Sequence, residues 1–322
     1  MQTCRMLVGS LAIAAIFANV ESAPAQPYPS HPVTMVVPLA AGGPIDTIAR
    51  IVAEGMSRSL GQPVIVENVT GASGSLGVGH VARAKPDGYT ISLGYLGTHV
   101  FNGAALALPY DLLKDFEPVS LLVSNPLVIV ARKTMPAKDL QELIAWLKAN
   151  PGKATEGTTG PGGSSQVAGI YFQKETGTRF QLVPYRGAAP IMQDLLAERI
   201  DLMFDFAANS VPQVRYGTIK AYAVTAPSRL PAAPDIPTVD EAGLPGFYIS
   251  AWEGVWAPKG TPNDVIGKLN TAIVAALADP SVRRRLGELG QDIYPRDQQT
   301  PEALGALQRA EIKKWWPIIK AE

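Results

Sequence analysis

Short apolar runs and amphipathic stretches alternate through most of the chain, separated by glycine and proline. Residues 33–37, Val-Thr-Met-Val-Val, form a β-prone run, and Ala40-Ala41-Gly42-Gly43 makes a turn after it. Pro44 suits a first helical position, where no N–H is needed, and Asp46 suits the first turn, where a carboxylate meets the helix dipole. Ile45, Ile48, Val52 and Met56 then recur at helical spacing. A strand, a glycine turn and a helix in that order point backbone N–H groups at whatever occupies the turn, an arrangement suited to a carboxylate or phosphate.

The same reading predicts further strands over 63–67, 89–95, 119–131, 155–159, 180–185, 200–206, 219–226 and 250–257. Helices are predicted over 75–84, 138–150, 166–175, 189–197, 261–278 and 281–289, with a last one from about Pro301 carrying Trp315 and Trp316. Alternation of this kind predicts an α/β fold with parallel sheets and helices on both faces. The run 119–131 is interrupted by Ser124-Asn125-Pro126 and reads as a strand crossing between domains, and the proline-rich segment 227–245 reads as a second crossing. The expected organisation is two lobes, 26–124 with 226–322 and 125–225, with a ligand cleft between them.

The first residues change the compartment. Arg5, the apolar run 6–20 and Ala23-Pro24-Ala25 together read as a signal peptide, 1–25, cut after Ala25. The mature protein is then expected in the periplasm. The only cysteine, Cys4, falls inside that signal, which leaves no thiol or disulfide chemistry. Formal net charge is zero, so nucleic acid and anionic membranes are not expected partners. A hydrophobic fraction of 47% against 17% charged residues describes a globular chain.

Candidate chemistry lies at the strand-to-helix junctions. Glycine loops at 42–43, 71–74 and 160–163 each precede a predicted helix. If they converge, their amides hold an anion without arginine. Ser164 and Ser165 sit where helix caps belong, and a cap hydroxyl at a loop mouth also reaches a ligand. Thr98 follows a strand end beside Gly97. Asp205 lies near a strand's C-terminal end, the edge that faces the crevice in α/β folds, and repels an acid unless a hydroxyl or ammonium meets it. Its plainer role is to cap a loop. Arg186 reads as a solvated arginine. Gly77-Val-Gly79-His-Val-Ala82 matches a dinucleotide fingerprint but lies within a predicted helix, so no cofactor is expected. His31, His80 and His99 lack metal-ligand spacing, and no G-x-S-x-G or H-E-x-x-H motif occurs.

In order along the chain stand Pro38-Leu-Ala-Ala-Gly-Gly-Pro-Ile-Asp46, Val66-Glu-Asn-Val-Thr-Gly-Ala-Ser-Gly74, Lys85-Pro-Asp-Gly-Tyr-Thr90 and Leu108-Pro-Tyr-Asp111. Val183-Pro-Tyr-Arg-Gly187, Ala223-Val-Thr225, Pro234-Asp-Ile-Pro-Thr238 with Glu241-Ala-Gly243, and Ala257-Pro-Lys-Gly-Thr-Pro262 follow. This series resembles the substrate-binding proteins of tripartite tricarboxylate transporters, the Bug family, over nearly the whole mature chain. The resemblance implies a two-lobed periplasmic binding protein of type II and capture of a small organic acid. It also implies delivery to the transporter's membrane permease, without catalysis. It carries over Ala41, Gly43 and Asp46 from the first loop and Ser164 and Ser165 from the later one as ligand-binding residues; Thr98 and Asp205 are added by position, and Ser73, where the second loop departs from the family, is a further candidate. A monomer is expected. The chain departs from the family where Asn68-Val-Thr-Gly-Ala-Ser-Gly74 replaces Asn-Arg-Pro-Gly-Ala-Gly-Gly, and where Gln166 and Val167 stand in place of a usual histidine. Ligand preference is expected to shift accordingly.

Two other functions remain open on sequence alone. One is an exported hydrolase with Ser73 or Ser164 as nucleophile and His80 or His99 as base. The other is a sensor subunit that uses the same pocket.

Overall fold

The computed structural model describes residues 28–160 and 163–320. The expected signal peptide, Cys4 and the cut after Ala25 lie outside the described residues, as do Pro161 and Gly162 of the third glycine loop.

Three parallel strands open the fold: β1 (Val33–Val37), β2 (Val64–Asn68) and β3 (Thr90–Tyr95), in the order β2-β1-β3. Helix α1 (Pro44–Leu60) joins the first two. Gly43 is its N-cap, Pro44 opens it and Asp46 sits in its first turn, as the sequence predicts. Gly61 ends it in the left-handed region, at φ 68°. The helix α2 (Ser75–Ala82) precedes β3, and a single π-helical turn over Gly97–Phe101 runs into the short α3 (Asn102–Ala105). The fingerprint glycines Gly77 and Gly79 lie inside α2, not in a phosphate-binding turn.

The long strand β4 (Phe116–Arg132) then runs without a break through Pro126. Its first part pairs with β9 (Ser250–Pro258) and with the two-residue β10 (Asp292–Ile293). Its second part pairs with β7 (Leu202–Phe206) and β8 (Ile219–Val224). Beyond β7 lie β5 (Thr155–Thr158) and β6 (Gln181–Pro184), both parallel to their neighbours. Helices α4 (Leu140–Ala149), α5 (Ser164–Thr176), α6 (Ala188–Leu196) and α7 (Ala207–Arg215) belong to this second part. The chain closes with α8 (Asn263–Ala278), α9 (Pro280–Glu288) and α10 (Pro301–Ile319).

The fold is therefore α/β and two-lobed, but its sheet is not purely parallel. β4 and β9 run antiparallel to each other, and β4 also runs antiparallel to β7, β8 and β10. Strand–helix alternation predicts the parallel blocks within each lobe; it does not anticipate two long strands that join them edge to edge.

Apolar packing follows this layout. Ile45, Ile48, Val52 and Met56 of α1 pack with Leu269, Ile273 and Leu277 of α8 against one face of the first sheet. Gly55 allows the close crossing, since a Cβ there would lie 2.5 Å from Ala276 Cβ. Leu230, Ala233 and Ile236 of the proline-rich segment pack with Ile191, Leu195 and Ile200 of the second lobe. Helix α10 touches both lobes. The fully buried Trp315 sets its ring edge-on to Phe101 at 5.6 Å and to Tyr171 of α5 at 5.2 Å. Among the described residues no single helix is long and apolar enough to cross a membrane.

Candidate functional site

Strand register locates the cleft. β3 is antiparallel to β9 and β9 to β4, so β1, β2 and β3 run in the same direction as β4. Tyr95, the last residue of β3, pairs with Glu253, which pairs with Val123. From the other lobe, β7 runs against β4 and ends at Phe206, paired with Leu127. The C-terminal ends of both sets of parallel strands thus point at the same short stretch of β4. Four residues of strand separate the two levels, about 13 Å at roughly 3.3 Å per residue.

The first lobe's turns are tied together at this edge. Asn68 Nδ2 donates to the Leu39 carbonyl at 2.9 Å and to Asp46 Oδ1 at 2.9 Å. Asn102 Nδ2 donates to the Ser73 carbonyl at 2.9 Å. Gly74 lies between Thr98 and Pro38; a Cβ there would come within 2.8 Å of Thr98 Cγ2 and 3.2 Å of Pro38. The loops carrying Ala41, Gly43, Asp46, Ser73 and Thr98 therefore share one end of this lobe.

Their side chains differ in what they offer. Asp46 is 2% exposed, and its carboxylate accepts from the Gly42 N–H at 2.8 Å, Arg50 Nε at 2.9 Å and Asn68. Burial pushes its pKa up, but Arg50, Gly42 and Asn68 outweigh that and hold it below the ordinary carboxylate range. Asp46 thus braces the turn from within. Ala41 is exposed and Gly43 half-buried, and the amides that start α1 have no acceptor inside the helix. The Thr98 hydroxyl is fully buried, bonded to the Tyr95 backbone and 3.0 Å from His99 Nδ1. Ser73 is exposed and left-handed, with φ 54°.

In the second lobe the structure corrects the capping expectation. Gly163, not a serine, is the N-cap of α5, with extended backbone (φ −74°, ψ 145°) and its N–H on the Gly160 carbonyl at 3.0 Å. Ser164 and Ser165 become the first helical residues, both buried. Ser165 Oγ accepts the Thr159 N–H at 2.9 Å, which pins the loop to the end of β5. Asp205 is 2% exposed, with Asn209 Nδ2 at 2.7 Å and the Ser210 hydroxyl also bonded. Burial raises its pKa to about 6, against those bonds. Both partners come from α7, a helix the sequence reading does not predict because Asn209, Ser210 and Pro212 break its apolar pattern. Arg186 is exposed, as expected.

Sequence reasoning overlooks Asn68 and Asn102, which tie the turns together. Asn68 carries a usable signal: a polar amide closing a strand next to a glycine loop. The hydrolase reading finds little here. His99 is buried and stacked on Trp256 at 3.8 Å, and burial drops its pKa to about 3, so it is a poor base near neutral pH. His80 is exposed on α2. Among the described residues no group of three or more His, Cys, Asp or Glu is placed to hold a metal.

Two α/β lobes with facing strand ends, glycine turns on both and long strands between them define a two-lobed solute-binding protein of the periplasmic kind. The comparisons agree. A chain from Agrobacterium vitis, the UPF0065 protein in the TAR-I ttuE-ttuC' intergenic region, is 44% identical over 292 residues, covering 91% of this chain and 84% of that one. The periplasmic binding protein BugD superposes with a TM-score of 0.79 at 41% identity, covering 91% and 98%. MatC from Rhodopseudomonas palustris, with bound malate, gives 0.80 at 40%, covering 91% and 100%. The model of the tripartite tricarboxylate transporter family receptor matches residues 48–322, and the chain belongs to that family.

Proposed function

We propose that this protein captures a small organic acid, a dicarboxylate, tricarboxylate or aromatic acid, between its lobes in the periplasm and passes it to a membrane permease of a tripartite transporter. The observation that carries this reading is the register of β4, which aims the strand ends of both lobes at Val123–Leu127. The malate bound to the MatC relative supports the substrate class. The lobes are assigned as 26–124 with 226–322 and as 125–225.

In this reading the ligand carboxylate sits at the amides of Ala41, Gly43 and the start of α1, with Ser73 beside them. The α5 turn at Ser164 and Ser165 closes from the other lobe. Asp46, Thr98 and Asp205 hold their loops in shape around it. Each helix start contributes about 0.3–1 kcal/mol and each hydrogen bond to the anion about 1.5–3 kcal/mol. The residues perform no covalent chemistry, and the protein acts as a monomer.

Calorimetry of the mature protein against dicarboxylates, tricarboxylates, aromatic acids and amino acids tests this. Saturable binding of at least one acid, with a matching rise in melting temperature, is expected. No heat and no thermal shift across the panel would refute it.

A further inference from the structure

Three buried side-chain oxygens near the crossing of the lobes have no hydrogen-bond partner: Asn125 Oδ1, Glu253 Oε2 and Gln291 Oε1. Their residues are 3%, 1% and 7% exposed. Register gathers them on one face. Asn125 pairs with Ala251 and Val123 with Glu253. On the other side of β4, Val123 pairs with Ile293 and Ser124 with Asp292, so Gln291 comes next, beside Asn125. Alternate residues of a strand share a face, so Val123 and Asn125 look the same way as Glu253 and Ile293. Val123 and Val255 belong to the same apolar cluster as Ile45 and Ile48 of α1, and Ile293 packs against that cluster, so this is the face of the sheet that α1 and α8 cover.

The row also lies at the cleft's level. Glu253 pairs with Tyr95, the end of β3, which turns its ring over Gly97. Gly290, next to Gln291, approaches the other lobe; a Cβ there would lie 3.6 Å from Ala207 Cβ and from the Ala208 nitrogen at the start of α7.

Native interiors leave few polar atoms unpaired, because each costs stability. All three atoms here are oxygens, so the missing partners are donors. Burial raises Glu253 to about 8, which favours its protonated form. That single proton serves at most one of its two neighbours, and no hydrogen bond joins the side chains of Asn125, Glu253 and Gln291 to one another: the Gln291 amide donates instead to the Leu289 carbonyl at 3.4 Å.

We propose that Asn125, Glu253 and Gln291 form a donor-receiving floor to the cleft, which selects organic acids that also carry a hydroxyl or ammonium group. This rests on the organic-acid reading above. The amide turns hold a carboxylate and do not distinguish one acid from another. A floor built to accept a hydrogen bond does, because an analogue without the donor leaves buried oxygens unpaired.

Calorimetry with succinate, malate and aspartate tests the proposal, using wild type, Glu253→Met and Glu253→Leu. Wild type is expected to prefer malate or aspartate to succinate by at least tenfold. Preference for malate identifies a hydroxyl, and preference for aspartate an ammonium. Glu253→Met is expected to reduce that preference several-fold, to leave succinate affinity within about twofold and to keep or raise the melting temperature, since a buried unpaired acid is removed. Glu253→Leu, equally unable to accept a hydrogen bond, reads out the preference if the methionine variant does not fold. Equal affinity for all three acids in wild type overturns the floor and leaves the organic-acid reading standing. An unchanged preference in the variants, or a lower melting temperature with no change in preference, assigns Glu253 a structural role and also overturns it. Silence of wild type toward all three overturns it together with any dicarboxylate reading of the cleft.

Discussion

Replacing Asp46 by Asn isolates the brace of the first turn. The buried carboxylate accepts from the Gly42 N–H at 2.8 Å, Arg50 Nε at 2.9 Å and Asn68 Nδ2 at 2.9 Å. An asparagine keeps one acceptor oxygen and turns its own NH₂ toward the donors on the other side. About one hydrogen bond to a charged acceptor is lost, roughly 1.5–3 kcal/mol. The Arg50 pair adds little, because its guanidinium is half-exposed at 52% and solvent screens it. The expected cost of Asp46→Asn is therefore about 1.5–3 kcal/mol, read as a drop in urea midpoint with unchanged slope. The pH dependence gives a second check. Asp46 has a depressed pKa in the folded protein, so its contribution is present above the ordinary aspartate pKa and is lost as pH falls through the lowered folded value. The variant should lose less stability than wild type on acidification in that range. A variant within 0.5 kcal/mol of wild type at neutral pH, a threshold of about the scatter of neutral surface changes, would show that the turn does not depend on this carboxylate.

Other changes report on separate parts of the fold. Ser73→Gly relieves a left-handed residue with φ 54° and should stabilise by about 0.5–1 kcal/mol in thermal unfolding; a loss would mean the serine makes a compensating contact. Trp315→Ala removes a buried ring that touches Phe101 and Tyr171 and should cost about 3–5 kcal/mol; a cost below 1 kcal/mol would show that α10 does not bind the lobes together. His99 titrates near 3 when folded and near 6.5 in its unperturbed state, so the unfolded chain binds more protons between those values and stability rises with pH there. His99→Phe should flatten that part of the stability–pH curve, and an unchanged slope would contradict the buried, neutral imidazole.

The helices and strands were legible where period and punctuation agreed. Pro44 after Gly43 and Asp46 in the first turn mark the start of α1. Val33–Val37 stands out because its residues are β-branched or apolar throughout. α7 was not legible: Asn209, Ser210 and Pro212 look like loop chemistry, and tertiary contacts, including the bonds to Asp205, override that preference. The same limit explains the serines of the third loop. Sequence places a hydroxyl next to a glycine, but only backbone angles decide which residue caps, and Gly163 takes the extended conformation.

The deepest gap is at the crossing of the lobes. Asn125 reads as part of a break, since Ser124-Asn125-Pro126 has turn-like composition, yet β4 passes through it paired to β9. Proline is tolerated because its missing N–H falls at Pro126, where β4 leaves β9 opposite Ser250 and takes up β7 one residue later at Leu127. Glu253 sits in an apolar strand where a lone acid has no partner visible in sequence, and Gln291 follows a helix end. Residues 125, 253 and 291 become neighbours only when three strands align. Neither hydrophobic period nor motif spacing encodes that alignment; the register of β4 does, and the same register aims the glycine turns of both lobes at one cleft.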